Sequence, residues 1–163
     1  MEIYILRHGD AEPRSADVEE ADRKLTSKGR RDVERVMRAA SAAKVRPDLV
    51  FTSPYRRAVE TAEIAIQQLD PKPKLVETEA LLPEGRPEQV WKELRSHSAA
   101  NETLLAGHEP QLSNLVAYLL GTPELRLDLK KGALVRIWME KLGTAPRGEL
   151  KWVVTPGLVR EIE

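Results

Sequence analysis

Ile3 to Leu6 is a short apolar run that stops abruptly at Arg7-His8-Gly9. Such a run, bounded by polar residues, reads as a buried strand opening the fold. Residues 10–24 are polar and acidic without a period, which predicts a long loop of the kind that carries function or mobility in a small domain. Thr26 is a suitable N-cap for a helix to about Lys44, with Val33, Val36, Met37 and Ala40 as its apolar stripe. After Pro47-Asp48, Leu49 to Thr52 reads as a second buried strand. Ser53-Pro54 then has the N-cap and N1 form of a helix start, and that helix continues through Ala58, Ala62 and Ala65 to about Leu69.

Pro71 and Pro73 break this helix, and Lys74 to Glu77 predicts a short strand before a loop over 78–86. Pro87 opens a helix through Val90, Trp91 and Leu94. Glu102 to Ala106 is a further strand, ended by Gly107-His108. Pro110 opens a helix with a stripe of Leu112, Leu115, Val116, Leu119 and Leu120, and Gly121 stops it. Two β-rich runs follow, Ala133 to Glu140 and Glu149 to Thr155, separated by a loop containing Gly and Pro. They predict an antiparallel pair at the sheet edge. Alternating strands and helices followed by a hairpin predict one α/β domain over residues 1–163, with a mostly parallel, mixed sheet and no separate cap domain.

Composition narrows the chemistry. Lys plus Arg and Asp plus Glu are 26 each, so the chain lacks the positive charge of a general nucleic-acid binder. No apolar run approaches the ~20 residues of a membrane span. The opening MEIYILRHGDAE is not that of a signal peptide, so a soluble, cytoplasmic protein is expected. Cysteine is absent, which excludes disulfides, thiolate metal sites and cysteine nucleophiles. Only three histidines remain as candidate nucleophiles or ligands.

Three clusters of charged or hydrogen-bonding residues fall just past predicted strands. They are Arg7-His8-Gly9, Thr52-Ser53-Pro54-Tyr55-Arg56-Arg57 and Gly107-His108. In open α/β sheets the ligand crevice lies outside the carboxyl ends of the strands. Parallel strands would therefore bring two imidazoles and two or three guanidinium groups to one edge. Guanidinium forks match the oxygens of a phosphoryl group. An imidazole kept neutral by neighbouring cations is a good nucleophile toward phosphorus, and a second imidazole can stabilise charge developing on the phosphoryl oxygens. No H-E-x-x-H spacing and no cluster of carboxylates suggests a metal centre, so no cofactor is expected. Each cluster taken alone has a plainer reading. Arg7 suits an ion pair, His8 a turn, Ser53 a helix cap and Gly107-His108 a loop, and only their joint placement points to a site. His97, Arg14, Arg23, Arg86 and one of Arg56 and Arg57 read as solvated surface, and the three tryptophans as core.

The segments Ile5-Leu6-Arg7-His8-Gly9, Leu25-Thr26-x-x-Gly29, Ser53-Pro54-Tyr55-Arg56-Arg57-Ala58 with Glu60-Thr61-Ala62, and Gly107-His108-Glu109-Pro110 occur in the order seen in the histidine phosphatase superfamily. The small size and the R-H-G-x-A-E opening resemble its short SixA-type phosphohistidine phosphatases. The resemblance implies a three-layer α/β/α sandwich with helices on both faces of the sheet, and a metal-independent reaction. It implies that His8 accepts the phosphoryl group while Arg7, Arg57 and His108 hold it; Gly107 and Ser53, beside them in the same clusters, are further candidate contacts. A protein acid between the second and last motifs is matched only by Glu84 or Glu79, and Glu84 is the better placed of the two. The implied substrate is phosphohistidine on a signalling protein. Alternatives are a small phosphate ester, or phosphate-bearing ligands bound by a non-catalytic module. Phosphate, sulfate and related oxyanions are expected to occupy the same pocket.

Overall fold

The computed structural model describes residues 1–162, so the last residue of the expected domain lies outside the described residues. Six strands, β1 (Glu2–Arg7), β2 (Leu49–Thr52), β3 (Lys74–Glu77), β4 (Glu102–Gly107), β5 (Leu134–Met139) and β6 (Gly148–Val154), form one sheet in the order β3-β2-β4-β1-β5-β6. β1 pairs in parallel with β4, β4 with β2, and β2 with β3. β5 and β6 add to the β1 edge as the antiparallel pair. Helices α1 (Ser27–Ala42), α2 (Arg56–Gln67), α3 (Pro87–Ser96), α4 (Gln111–Leu119) and α5 (Pro156–Ile162) complete the fold.

Alternation along β1 sends Ile3 and Ile5 to one face and Tyr4 and Leu6 to the other. The first pair joins a core with Val90, Trp91 and Leu94 of α3 and Leu112, Leu115 and Val116 of α4. The second joins Val33, Val36 and Met37 of α1, Ala62 and Ala65 of α2, and Val159 of α5. The result is the three-layer α/β/α sandwich. Each fully buried Ile or Leu contributes about 1.5–3 kcal/mol, so both faces hold β1 in place and fix where its carboxyl end opens.

Four features differ from the pattern reading. Helix α2 starts at Arg56, with Tyr55 as an N-cap that makes no side-chain cap bond; the Ser53 hydroxyl oxygen accepts the Tyr55 N–H in the turn just ahead of it. The final helix α5 had no periodic signal; it is only seven residues long and opens with Pro-Gly, which resembles a turn. The loop over 10–24 contains a single 3-10 turn, Glu20–Asp22, and is fastened by the Ala11–Leu25 bridge. Of the tryptophans only Trp91 is buried; Trp138 on β5 and Trp152 on β6 are half-buried. No helix among the described residues is long and apolar enough to cross a membrane.

Candidate active site

The parallel pairing of β1, β4 and β2 brings their carboxyl ends to one edge as direct neighbours. The His8 N–H donates to the Gly107 carbonyl at 3.0 Å, and the Ser53 N–H donates to the Ala106 carbonyl at 3.0 Å. The His8 and His108 rings consequently stand with centroids 5.1 Å apart. Both are nearly inaccessible to solvent, at 6% and 1% exposure, as is Arg57 at 4%.

Backbone closeness behind His8 depends on two glycines. A Cβ on Gly9 would stand 2.7 Å from the Gly29 carbonyl oxygen, and a Cβ on Gly29 would run into the Asp10 backbone. The first turn of α1 therefore rests directly on the segment that follows the histidine. Thr26 caps this turn by accepting from Gly29 N–H at 3.0 Å, and its own hydroxyl reaches Asp10. From the other side, Thr61 of α2 accepts the Gly9 N–H at 3.1 Å and donates to the Arg57 carbonyl at 2.7 Å.

The His8 imidazole has a defined orientation. Its Nδ1 lies 2.7 Å from the Gly9 carbonyl oxygen. An oxygen acceptor there calls for a proton on Nδ1, which leaves Nε2 with its lone pair. Burial, then the positive charge of Arg57, Arg7 and Lys131, pushes the His8 pKa down to about 3 against the pull of the Gly9 carbonyl. His108 is pushed down to about 2, first by burial, then by His8 and the same arginines. Both rings are therefore neutral in the free protein at ordinary pH.

His108 Nε2 lies 2.7 Å from Ser53 Oγ. Ser53 Oγ also accepts the Tyr55 N–H at 3.3 Å, which leaves its hydroxyl proton for His108. The remaining ring proton then sits on Nδ1, which is buried and has no partner. Arg7 donates through Nη1 to the Leu129 carbonyl at 2.7 Å, while its Nε is buried and unpaired. Arg57 donates to the Glu20 carbonyl at 2.8 Å and pairs with the Glu20 carboxylate at 3.1 Å, and its Nε too is buried and unpaired. Among the described residues six buried side-chain polar atoms lack partners, and three of them belong to Arg7, Arg57 and His108. Buried donors left without acceptors cost free energy, so their concentration around two neutral imidazoles fits an anionic ligand.

The other sequence candidates separate. Gly107 contributes its carbonyl to the His8 N–H. Glu84 is exposed on the turn before α3 and makes no hydrogen bond or ion pair with the imidazoles or guanidinium groups. Glu79 is also exposed, in a hollow lined by Gln89, Lys92 and Glu93 of α3. Arg56 is a surface residue paired with Glu60, and His97 is exposed with its ring edge-on to Phe51. Arg23 departs from its surface reading: its side chain is only 13% exposed, and it donates to the Glu12 carbonyl and pairs with Glu20. Pattern reasoning missed Glu20, which gathers Arg14, Arg23 and Arg57, because an acidic residue in a polar run carries no signal. It missed Tyr55 as well, whose ring lies 5.3 Å from His108 and 5.1 Å below the Arg57 guanidinium. Among the described residues no three His, Asp or Glu side chains group as metal ligands.

The model of the histidine phosphatase superfamily (branch 1) matches residues 3–89, a span that carries His8, both arginines and Ser53. The chain belongs to this superfamily. A relative in Picosynechococcus sp., an uncharacterized protein, is 32% identical over 139 residues, which cover 83% of each chain. Among solved structures, the protein histidine phosphatase SixA complexed with tungstate superposes with a TM-score of 0.83 at 24% identity, covering 98% of this chain and 99% of that one. The putative phosphohistidine phosphatase SixA from Agrobacterium tumefaciens gives 0.79 at 18% identity, covering 95% and 98%. These superpositions carry the family fold over almost the whole chain, including the part beyond residue 89 that holds His108.

Proposed function

We propose that this protein is a metal-independent phosphatase that transfers a phosphoryl group to Nε2 of His8 and then to water, and that its substrate is phosphohistidine on a protein. The observation that carries the reading is the His8 Nδ1–Gly9 carbonyl contact, which leaves an unprotonated Nε2 beside three buried, unpaired donors. In the first step the Nε2 lone pair attacks phosphorus and the substrate P–N bond breaks, its nitrogen taking a proton from solvent. Arg7, Arg57 and His108 hold the phosphoryl oxygens as charge builds on them. In the second step water attacks phosphorus, the His8 P–N bond breaks and inorganic phosphate leaves, restoring neutral His8.

The choice of phosphohistidine rests on the acids. A nitrogen leaving group is readily protonated and needs little help, whereas an alkoxide needs a placed acid. Glu84 and Glu79, exposed and without contact to the site, favour the former. The SixA likeness supports the same substrate class. Rapid quench with a labelled phosphodonor should trap an acid-labile label on His8, absent in His8→Ala and unaffected by chelator. A strong preference for an alkyl phosphate over a phosphohistidine protein, abolished in Glu84→Gln, would defeat the substrate assignment.

A further inference from the structure

Beside the crevice, on the side of α1 and α5, lies an open hollow of about 560 Å³ with Arg7 among its lining residues. Its walls come from the start of α1, the loop before β5 and the start of α5. They present Lys28, Lys130, Lys131 and Arg160 in addition to Arg7, against the carboxylates of Asp32 and Asp128. Those carboxylates are already engaged. Asp32 is buried and contacts Lys28 at 2.6 Å, Arg160 at 3.0 Å and Arg35 at 3.8 Å, and Asp128 is paired with Lys130. Lys131 is paired in turn with Asp10 at 2.9 Å, so five cations meet three carboxylates and positive charge is still left over at this wall, although the chain as a whole has no net charge.

We infer that this hollow is a docking surface for carboxylates on the protein substrate, next to its phosphorylated side chain. The inference rests on the proposed function, since it supplies the part of the substrate that the His8 site does not hold. Two features favour a protein surface over a small polyanion. The lysines are exposed at the rim on flexible stems, which suits long-range, screened attraction better than a rigid cage. Of Arg7, His8, Arg57 and His108 only Arg7 lines the hollow, so a group bound there lies beside the phosphoryl site rather than within it. Aspartate or glutamate side chains flanking a phosphohistidine satisfy both conditions.

The test uses a phosphohistidine peptide flanked by glutamates, the same peptide flanked by glutamines, and free phosphohistidine. Variant Lys28→Glu/Lys130→Glu reverses two rim charges, and neither lysine forms a hydrogen bond or ion pair with His8, His108 or the arginines. At low salt the wild type should turn over the glutamate peptide with about five- to tenfold higher kcat/KM than the glutamine peptide, carried by KM. High salt or the double variant should remove that preference while free phosphohistidine turnover stays the same, and Lys28→Gln/Lys130→Gln should fall between. Equal kcat/KM for the two peptides in wild type would overturn the inference. So would a double variant that loses affinity for inorganic triphosphate but not for the acidic peptide. Fluorescence anisotropy of a labelled, unphosphorylated glutamate peptide reads docking without turnover. Wild type that binds it yet hydrolyses no phosphohistidine would sink the substrate assignment and leave the docking surface standing.

Discussion

Ser53 Oγ lies 2.7 Å from Nε2 of His108, joining the carboxyl ends of β2 and β4 across the crevice. The contact fixes which nitrogen of His108, Nδ1, is left unpaired for the phosphoryl group of the proposed reaction. Ser53→Ala removes the hydroxyl and frees the ring to adopt the other tautomer. Loss of an orienting partner costs about 10- to 100-fold at metal-bound imidazoles, and on that scale kcat should fall by about tenfold with KM little changed. Ser53→Thr, which keeps a hydroxyl, should recover part of the loss. An unchanged kcat in Ser53→Ala would reduce the contact to a structural one.

The same pair shows where the sequence was legible and where it was not. Strand periodicity placed the ends of β1, β2 and β4, and the parallel pairing then followed from their order with helices between. His8, Arg57 and His108 thus meet because backbone registers carry them there. Ser53-Pro54 has the local form of a helix start, and the Ser53 oxygen does accept the Tyr55 N–H, but its proton goes to His108, a tertiary partner that no local pattern announces. Glu20 could not be foreseen, because its role depends on how a non-periodic loop folds back over Arg57. Glu84 lies on a Pro-bounded loop that suits a reach to the crevice; only the path of that loop shows it exposed, with no hydrogen bond or ion pair to the imidazoles.

Glu20 and Arg57 lead to a second expectation. The Glu20 carboxylate lies 3.1 Å from an Arg57 guanidinium nitrogen and is shared with Arg23 and Arg14. A bound oxyanion competes with it for the positive charge of Arg57. Glu20→Gln removes that competing charge, while the Glu20 backbone carbonyl still accepts from Arg57 and burial still holds the side chain. Vanadate or tungstate should therefore inhibit about three- to tenfold more tightly, the scale of a partly screened charge pair. Weaker inhibition would mean that the carboxylate chiefly positions Arg57.

Gly29 offers a test of the scaffold. A methyl group there collides with the Asp10 backbone, which cannot rotate away as a side chain would. Gly29→Ala should destabilise the fold by about 2 kcal/mol or more, in the upper range of overpacking. It should also lower kcat at temperatures where the variant is still folded, since α1 would press on Gly9 next to His8. Denaturant unfolding followed by assay of the folded fraction separates the two effects. Wild-type stability in Gly29→Ala would show that the contact yields.

The neutral histidines predict how stability depends on pH. His8 and His108 titrate near 3 and 2 in the folded protein, below the ordinary value of about 6.5 that applies once the chain unfolds. Above about pH 6.5 neither state is protonated at these rings, and they add no pH dependence. As pH falls below that, the unfolded chain takes up protons that the folded one refuses, so stability declines until the folded values are reached. Each ring contributes a slope of up to about 1.4 kcal/mol per pH unit in that window. Thermal unfolding from pH 8 to 4 should show a steeper acid loss in wild type than in His8→Asn/His108→Asn, whatever their absolute stabilities. Saturating tungstate should flatten the wild-type slope, because an anion between the rings favours their protonated forms. Parallel slopes in the two proteins would mean that solvent or the backbone stabilises the imidazolium forms, and the neutral Nε2 on which the phosphoryl transfer depends would lose its electrostatic basis.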